Sequence, residues 1–169
     1  MTTKQKHTKP KLTCVSIGYQ GRKVQDLCAE LKMHGVELLL DVRQAAWSHR
    51  PEFRKQALAA ALAKHGVAYL HMREAGNPFR PRKGEVVSVA ECAKHYRRHL
   101  AKTPEIVLNV AAALRSQTTA VFCFEAQHEH CHRSVLLAAV AVHDPLVVDR
   151  VDGPPAPKRN AVKKNKLAT

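Results

Sequence analysis

The densest group of reactive side chains in the sequence is CFEAQHEHCHRS, at residues 123–134. It follows a run of β-branched and aromatic residues and precedes a long apolar run, which predicts a strand, a loop and a helix in that order. Side chains alternate between the two faces of a strand, so we expect Cys123 and Glu125 on one face at the strand's end. Glu125 is therefore a candidate general base, or a carboxylate that stabilises developing positive charge.

The second half of this segment, residues 131–134, falls at the start of the predicted helix. Unpaired N–H groups and the helix dipole favour an anion at that position. Arg133 can add a charge-assisted hydrogen bond to a phosphate or carboxylate, with His132 and Ser134 beside it. Cys131 is a candidate nucleophile, because a helix start and a neighbouring His or Arg favour the thiolate.

Metal binding is another chemistry open to this segment. Cysteine and histidine are ligands that zinc prefers, and the segment offers five of them: Cys123, His128, His130, Cys131 and His132. Their spacing lacks the paired knuckles of a structural zinc site, so the sequence predicts no cofactor, with a metal kept as an alternative. A purely structural role, with packed cysteines and solvated histidines, is a further interpretation of the same residues.

Two other predicted strands also end in polar residues. The first ends in Gly18 and Tyr19, where glycine permits close approach of a ligand and tyrosine can stack or hydrogen-bond. The second ends in Asp41-Val42-Arg43, whose acid and base lie on the same side of the strand. Asp41 is a candidate second catalytic carboxylate, and Arg43 is a candidate phosphate ligand. A structural ion pair that orients the next loop is the alternative.

Loops after the second and third predicted strands add candidate binding residues. Trp47 and Ser48 follow the Asp-Val-Arg strand end, and an aromatic ring there can stack on a base. The stretch 73–87 is rich in Gly, Pro and Arg and is too long for a simple connector. Its basic residues are expected to contact a nucleic-acid backbone: Arg80, Arg82 and Lys83.

The elements that must position these residues alternate along the chain. Apolar runs predict strands at 13–18, 36–42, 67–72 and 118–125, with 145–151 as a fifth. Helical spacing, prolines and caps predict helices from 24 to the stop at Gly35, and at 51–64, 89–102, 103–115 and 132–143. This alternation implies a three-layer α/β fold with a mostly parallel, Rossmann-like sheet of four to five strands and helices on both faces. In such folds ligands bind outside the carboxyl ends of the strands, where the candidate residues fall.

The charge of the chain indicates a polyanionic partner. Among the 169 residues, 28 Lys and Arg stand against 14 Asp and Glu, which gives a formal net charge of +14. Nine of these bases and no acid lie in residues 1–12 and 153–169, so we predict a basic disordered arm at 1–12, a single domain at 13–151 and a basic disordered tail at 152–169. Basic arms favour nucleic acid as the partner, because phosphate contacts release counterions. Tails that only keep the protein soluble are the alternative.

The sequence disfavours insertion into a membrane and secretion. No apolar run approaches the roughly 20 residues of a membrane-spanning helix, and the first residues, MTTKQKHTKPKL, lack the apolar core of a signal peptide. The five cysteines form an odd set without regular spacing, which is a poor disulfide framework. We therefore expect a cytoplasmic protein without a membrane partner.

Four stretches of the chain resemble the bacterial and archaeal family known as domain of unknown function 488. They are SIGYQGR, GVELLLDVRQAAWSHRPEF, AYLHMREAGNP and VFCFEAQHEHCHRSVLLA, and together they span about residues 13–145. The order D-V-R followed by C-x-E-x5-C-H-R is specific. The chain departs from the family pattern at Tyr19-Gln20, where His-Ser is common, and at 44–47, where a proline-containing stretch is usual. The resemblance implies an α/β fold and a pocket assembled from these motifs, with Glu74 and Gly76 among its residues.

Taken together, the patterns favour an enzyme that acts on nucleic acid or nucleotides, most concretely by hydrolysing an N-glycosidic bond as a DNA glycosylase does in DNA repair. In this scheme Glu125 and Asp41 activate water or stabilise the sugar cation. Arg43 and Arg133 hold phosphate. Stacking on an extruded base is assigned to an aromatic side chain: Tyr19, Trp47 or Phe79. The alternatives are a non-catalytic module that binds or senses nucleic acid or a small anion, and thiol chemistry at Cys131.

Overall fold

The described part of the chain forms five strands and five α-helices, in the order that the sequence predicts. The computed structural model describes residues 11–80 and 87–153. In chain order the elements are β1 (Leu12–Gly18), α1 (Val24–Met33), β2 (Leu38–Asp41), α2 (Lys55–Ala63), β3 (Ala68–His71), α3 (Val89–Lys102), α4 (Pro104–Ser116), β4 (Thr119–Cys123), α5 (His132–His143) and β5 (Leu146–Val151). Short 3-10 turns at Pro51–Phe53 and Arg73–Ala75 precede α2 and follow β3.

All five strands belong to one parallel sheet in the order β3-β2-β4-β1-β5. The three-layer, Rossmann-like α/β architecture is therefore confirmed, with a sheet that is parallel throughout. β4 lies at the centre and pairs with β1 on one side and β2 on the other. Strand ends that are about 80 residues apart in sequence are thereby brought side by side at the C-terminal edge of the sheet.

The two faces of the sheet carry separate cores, each covered by its own helices. One core joins α3, α4 and α5 to Leu40, Val121 and Cys123, and we call this side the α3–α5 face. The other core joins α1 and α2 to Leu39 and Phe122, and we call this side the α1–α2 face. Neighbouring residues of a strand point to opposite faces. Consecutive side chains at a strand end therefore lie in different cores, one on the α3–α5 face and the next on the α1–α2 face.

Local signals place several boundaries where the sequence predicts them. Ser88 caps α3, its side chain accepting from the N–H of Glu91 while Glu91 bonds back to Ser88, which is the predicted capping box. Gly35 ends α1 with a φ of +62°, a conformation that L side chains rarely adopt. β4 ends at Cys123, two residues earlier than predicted, so Glu125 lies in the loop beyond the strand.

The folded domain is slightly larger than predicted at both ends. Leu12, assigned to the arm by its sequence, begins β1 and is paired with β5. Asp152 and Gly153, assigned to the tail, pack on the β4–α5 loop, where the N–H of His128 donates to Asp152 at 2.7 Å. The rest of the predicted arm and tail, residues 1–10 and 154–169, lies outside the described residues. Among the described helices, none has the length and apolar character needed to cross a bilayer.

Candidate functional site

A pocket of about 390 Å³ opens at the C-terminal end of β4, the central strand. Its walls come from the loop before α3, from α3 itself, from the β4–α5 loop and from the first turn of α5. The lining includes several side chains that can do chemistry: Arg80, Cys92, Glu125, Cys131, His132 and Ser134. A pocket at the carboxyl edge of a parallel sheet is the expected position for a ligand in this fold.

Three side chains that line this pocket, together with the buried side chain of Cys123, form a compact group, which we call the Cys–His–Glu cluster. One donor atom from each of Cys123, Glu125, Cys131 and His132 lies within 4.8 Å of all the others. Oε2 of Glu125 accepts from the thiols of Cys123 at 3.2 Å and Cys131 at 3.0 Å. Nδ1 of His132 is 3.7 Å from each of the two sulfurs. The sequence motif C-x-E-x5-C-H thus folds into one contiguous group.

The end of β2 fixes the imidazole of His132. Nε2 of the ring is 2.8 Å from the backbone carbonyl oxygen of Val42. A carbonyl can only accept, so Nε2 carries the proton and, in the neutral ring, Nδ1 presents its lone pair to the sulfurs. Tyr96 of α3 packs edge-on against the same ring at 5.5 Å between centroids. The orientation of His132 is therefore set by β2 and α3, which are distant in sequence from its own helix.

The two cysteines of the cluster differ in acidity. Burial raises the pKa of Cys131 to about 12, and the adjacent Cys123 raises it as well. Burial alone would also raise the pKa of Cys123, but its hydrogen bond with Cys131 and the charges of Arg133 and Arg80 lower it. Cys131 is therefore protonated at neutral pH, and its thiol donates to Glu125. Such a pKa disfavours the interpretation of Cys131 as a nucleophile.

Arg80 and Glu125 form an ion pair at the mouth of the pocket, with Arg80 about 51% exposed and Glu125 about 20% exposed. The loop that carries Arg80 is held by Asn77, whose Oδ1 accepts from the N–H of Phe79 at 2.9 Å. Arg80, which the sequence predicts to contact a nucleic-acid backbone, thus lies at the mouth of the pocket. The other two predicted residues, Arg82 and Lys83, lie outside the described residues.

Arg133 does not face the solvent, which corrects the prediction that it binds a substrate phosphate. Its side chain is 0% exposed and points from the first turn of α5 into the protein. Nη2 donates to the carbonyl oxygen of Glu125 at 2.7 Å, whereas Nε and Nη1 have no hydrogen-bond partner among the described residues. Ser134, on the next position of the helix, does line the pocket, and its hydroxyl donates to the carbonyl of Cys131 at 2.8 Å.

Asp41 and Arg43 form a buried ion pair on the α1–α2 face. Nη2 of Arg43 is 2.6 Å from Oδ2 of Asp41, and Nε is 2.9 Å from Oδ1. Tyr69 donates to Oδ2 at 2.6 Å, and Nη1 of Arg43 donates to the carbonyl of Phe53 at 2.9 Å. Burial opposes the charge of Arg43, but its hydrogen bonds and attraction to Asp41 outweigh burial and raise its pKa.

The predicted pairing of Asp41 with Glu125 is therefore wrong. Residues 40 and 42 belong to the core of the α3–α5 face, so Asp41, between them, points to the opposite face from Cys123. The guanidinium of Arg43 lies over the ring of Phe122, 5.2 Å from its centroid, and is likewise far from solvent. The alternative that the sequence left open, a structural ion pair, is the arrangement observed.

Gly18 and Tyr19 serve the fold at the end of β1 instead of lining the pocket. A Cβ at Gly18 would lie 1.8 Å from the carbonyl oxygen of Glu125, so the close approach that glycine permits is to the protein's own loop. Tyr19 is 3% exposed and its ring stacks on Phe53, with centroids 4.3 Å apart. A ring held in this way cannot stack on a base.

Trp47 and Ser48 lie in the loop after β2 and are not among the residues that line the pocket. Trp47 is exposed, and Arg54 packs over its ring at 5.5 Å. The hydroxyl of Ser48 is buried and accepts from the N–H of Arg50 at 3.1 Å, which closes a turn. Ser48 therefore has a structural partner, while Trp47 presents an aromatic surface away from the Cys–His–Glu cluster.

Glu74 and Gly76 line a second pocket of about 530 Å³, between the loop after β3 and the helices α3 and α4. A Cβ at Gly76 would lie 2.5 Å from the backbone of Gln44, so glycine is needed there for loop packing. Asn77 and Cys92 also line the first pocket, although neither is among the predicted site residues. The Asn-Pro turn signal could have identified Asn77, whereas Cys92 lies on the apolar side of α3 and gives no such signal.

Fold and site together define a Rossmann-like α/β protein with a cysteine–histidine–carboxylate pocket at the C-terminal edge of its central strand. The family model described as Domain of unknown function DUF488 matches residues 23–140, which is more than half of the chain. The chain belongs to this family, as the resemblance of its motifs predicted. No curated protein gives a significant match.

Proposed function

We propose that this protein is a hydrolase that acts on nucleotides or nucleic acid, with N-glycosidic bond hydrolysis as the most concrete reaction. The observation that carries the proposal is the position of Glu125. Its carboxylate lines a pocket that is open to solvent, accepts from two thiols and lies within 4.8 Å of a ring nitrogen of His132. A partly buried carboxylate in a concave site is the usual arrangement of a general base or of a group that stabilises a sugar cation.

With Asp41 on the other face of the sheet, Glu125 has to supply the acid–base chemistry without a second carboxylate from β2. Arg80 pairs with Oε1 of Glu125, and this charge favours the ionised carboxylate that a base requires. A substrate phosphate at the pocket mouth can share the guanidinium of Arg80, which is half exposed. Arg80 thus replaces Arg43 and Arg133 as the candidate phosphate ligand.

Nucleic acid is the preferred substrate class because aromatic and basic groups lie next to the pocket mouth. Phe79, the neighbour of Arg80, is exposed and lines a groove together with Arg98 and Lys102 of α3. Aromatic rings next to basic side chains are the usual elements that hold single-stranded or extruded bases. The net charge of +14 gives the same preference over the whole chain. We also infer a cytoplasmic location, because all five cysteines are free and buried.

The test is a turnover assay with duplexes and single strands that carry modified or damaged bases, together with nucleosides and nucleotides, and analysis for released base or abasic product. Glu125→Gln is expected to lower turnover by about 10²–10⁴ while binding, measured by fluorescence anisotropy, is retained. Glu129→Gln is the matched control, because Glu129 lines the same pocket but is exposed and paired with Arg150. Its turnover should stay close to that of the unmodified protein.

Absence of turnover over the whole panel, with folded protein, would contradict the proposal. Binding without turnover would instead favour a non-catalytic nucleic-acid or anion-binding module. Phe79→Ala tests the substrate class separately: loss of one stacked base should weaken binding of a single strand by about 1–3 kcal/mol. Trp47→Ala, at an exposed aromatic residue outside the pocket, is its control and should leave affinity unchanged.

A further inference from the structure

We propose that Cys123, Cys131 and His132 bind one divalent ion of the zinc class, with Oε2 of Glu125 as an exchangeable fourth ligand. The inference concerns the site of the proposed function and rests on that proposal for its catalytic consequence. The ligand set is a typical one, because zinc prefers thiolate and imidazole and accepts a carboxylate oxygen. Paired knuckles are not needed here, because the end of β4, the loop after it and the start of α5 bring the four ligands together.

The distances within the Cys–His–Glu cluster fit a tetrahedral site. Ligand atoms about 2.0–2.3 Å from zinc at the corners of a tetrahedron lie roughly 3.3–3.8 Å from one another. The sulfurs of Cys123 and Cys131 are both 3.7 Å from Nδ1 of His132. They lie 3.2 and 3.0 Å from Oε2 of Glu125, slightly closer than an ion would hold them. Small side-chain adjustments therefore suffice to admit an ion.

The imidazole of His132 has the support that a metal ligand requires. Its Nε2 donates to the carbonyl of Val42 at 2.8 Å, which leaves Nδ1 as the free lone pair facing the sulfurs. Histidines that bind metals usually donate their other N–H to a carbonyl or carboxylate, which fixes the ring and its tautomer. A solvated imidazole needs no fixed tautomer, so the hydrogen bond from His132 to Val42 supports a role as a metal ligand.

Arg133 supplies an independent observation, because it is a buried charge that calls for negative charge nearby. Its side chain is fully buried, its Nη2 bonds a backbone carbonyl, and Nε and Nη1 have no partner among the described residues. A buried cation without compensation is costly. Binding of a divalent ion releases the protons of both thiols. The ion with two thiolates, a neutral imidazole and a carboxylate then has a net charge of −1, which a guanidinium balances. The cluster and Arg133 together are then electrically neutral.

The ion pair between Glu125 and Arg80 explains how the fourth position could open. Oε1 of Glu125 pairs with Arg80, while Oε2 faces the two sulfurs. The same carboxylate can therefore either bind the ion through Oε2 or move towards Arg80 and leave the ion. With Glu125 drawn to Arg80, three protein ligands remain, which is the usual number at a catalytic zinc. A water bound there has a pKa near neutrality, and its proton can pass to Glu125. The resulting hydroxide attacks the anomeric carbon, the C–N bond breaks, and the departing nitrogen takes that proton back.

The test measures metal binding directly. The full-length chain, reduced and freed of metal by a chelator, is titrated with Co²⁺ and then with competing Zn²⁺. One ion per chain is expected, with near-ultraviolet bands of cobalt–thiolate charge transfer and visible bands of tetrahedral intensity. Cys131→Ser should lose about half of the charge-transfer intensity. His132→Gln, which leaves both cysteines in place, should weaken binding by at least about 100-fold.

Cys92→Ser is the matched control, because Cys92 lines the same pocket but lies outside the cluster, and its thiol faces the carbonyl of Phe79. It should bind Co²⁺ with unchanged spectrum and affinity. The inference is overturned if the reduced chain binds neither ion at micromolar concentration, or if the Cys131 and His132 variants bind as the unmodified protein does. Formation of a Cys123–Cys131 disulfide with no metal uptake would also overturn it, in favour of a redox pair.

The two proposals fail in distinguishable ways. Stoichiometric metal binding at the cluster without turnover of any substrate removes the proposed hydrolysis and keeps the metal site. Turnover that depends on Glu125 but survives both the chelator and Cys131→Ser removes the metal site and keeps the hydrolysis. Circular dichroism of each variant confirms that its loss of binding is not a loss of folding.

Discussion

Replacing Arg43 by methionine tests whether the Asp-Val-Arg strand end is structural. Met preserves much of the length of the side chain but removes the guanidinium. Asp41, which is fully buried, then loses its contacts with Nε and Nη2 and keeps the hydroxyl of Tyr69 at 2.6 Å and the N–H of residue 43 at 3.1 Å. The carbonyl of Phe53 also loses its donor. The variant therefore leaves a carboxylate in the core without its counter-charge.

The expected cost is large compared with the stability of a domain this size. Removing one partner of a buried ion pair costs about 3–5 kcal/mol, against a total free energy of unfolding of roughly 5–15 kcal/mol. Asp41→Asn, which leaves Arg43 buried and charged, should cost a similar amount. In the double variant no buried charge is left unpaired, so it should be more stable than the sum of the single changes predicts, with a coupling energy of about 2–3 kcal/mol.

Urea unfolding followed by far-ultraviolet circular dichroism gives the three free energies, and the double-mutant cycle isolates the coupling between Asp41 and Arg43. A loss of less than about 1 kcal/mol for Arg43→Met, or a coupling near zero, would refute the structural interpretation. If instead folded Asp41→Asn protein loses turnover on a substrate found with the assay above, the strand end has a catalytic role that its burial does not suggest.

Three further changes have defined outcomes. Gly18→Ala places a Cβ against the carbonyl of Glu125, so we expect a loss of roughly 1–3 kcal/mol in urea unfolding, and an unchanged midpoint would show that the loop yields freely. Ser88→Ala removes the cap of α3 and should cost about 1 kcal/mol, seen as a melting temperature lower by roughly 2–4 °C; no shift would mean that the cap is dispensable. Burial and nearby arginines lower the pKa of His128, so the unfolded chain binds that proton more readily and the free energy of unfolding should fall as pH drops below about 6.5. In His128→Gln this slope between pH 7.5 and 5 should be smaller, and an equal slope would exclude His128 as its source.

The secondary structure could be predicted from the sequence because its signals are local. Ser88 and Glu91 are three residues apart, and their capping box depends only on the backbone that they terminate. The helix α5 was predicted with its observed bounds, since its apolar run begins directly after a polar loop. The proximity of the residues in the Cys–His–Glu cluster can be predicted in the same way, because one short loop joins the C-terminal end of β4 to the start of α5.

Local patterns in the sequence are therefore enough to predict the order of strands and helices along the chain, the mostly parallel α/β class and the segment that carries the reactive groups. Three features could not be predicted without the packed fold: β4 lies between β1 and β2, Asp41 points away from Cys123, and Arg133 points inward. The alternation of side chains along a strand shows which of its residues share a face. It does not show which helices cover that face. The helices that cover each face are distant in sequence from the strands, so their positions follow only from the packing of the whole domain. Their packing leaves the Asp41–Arg43 ion pair buried on one face and the Cys–His–Glu cluster beside a pocket on the other.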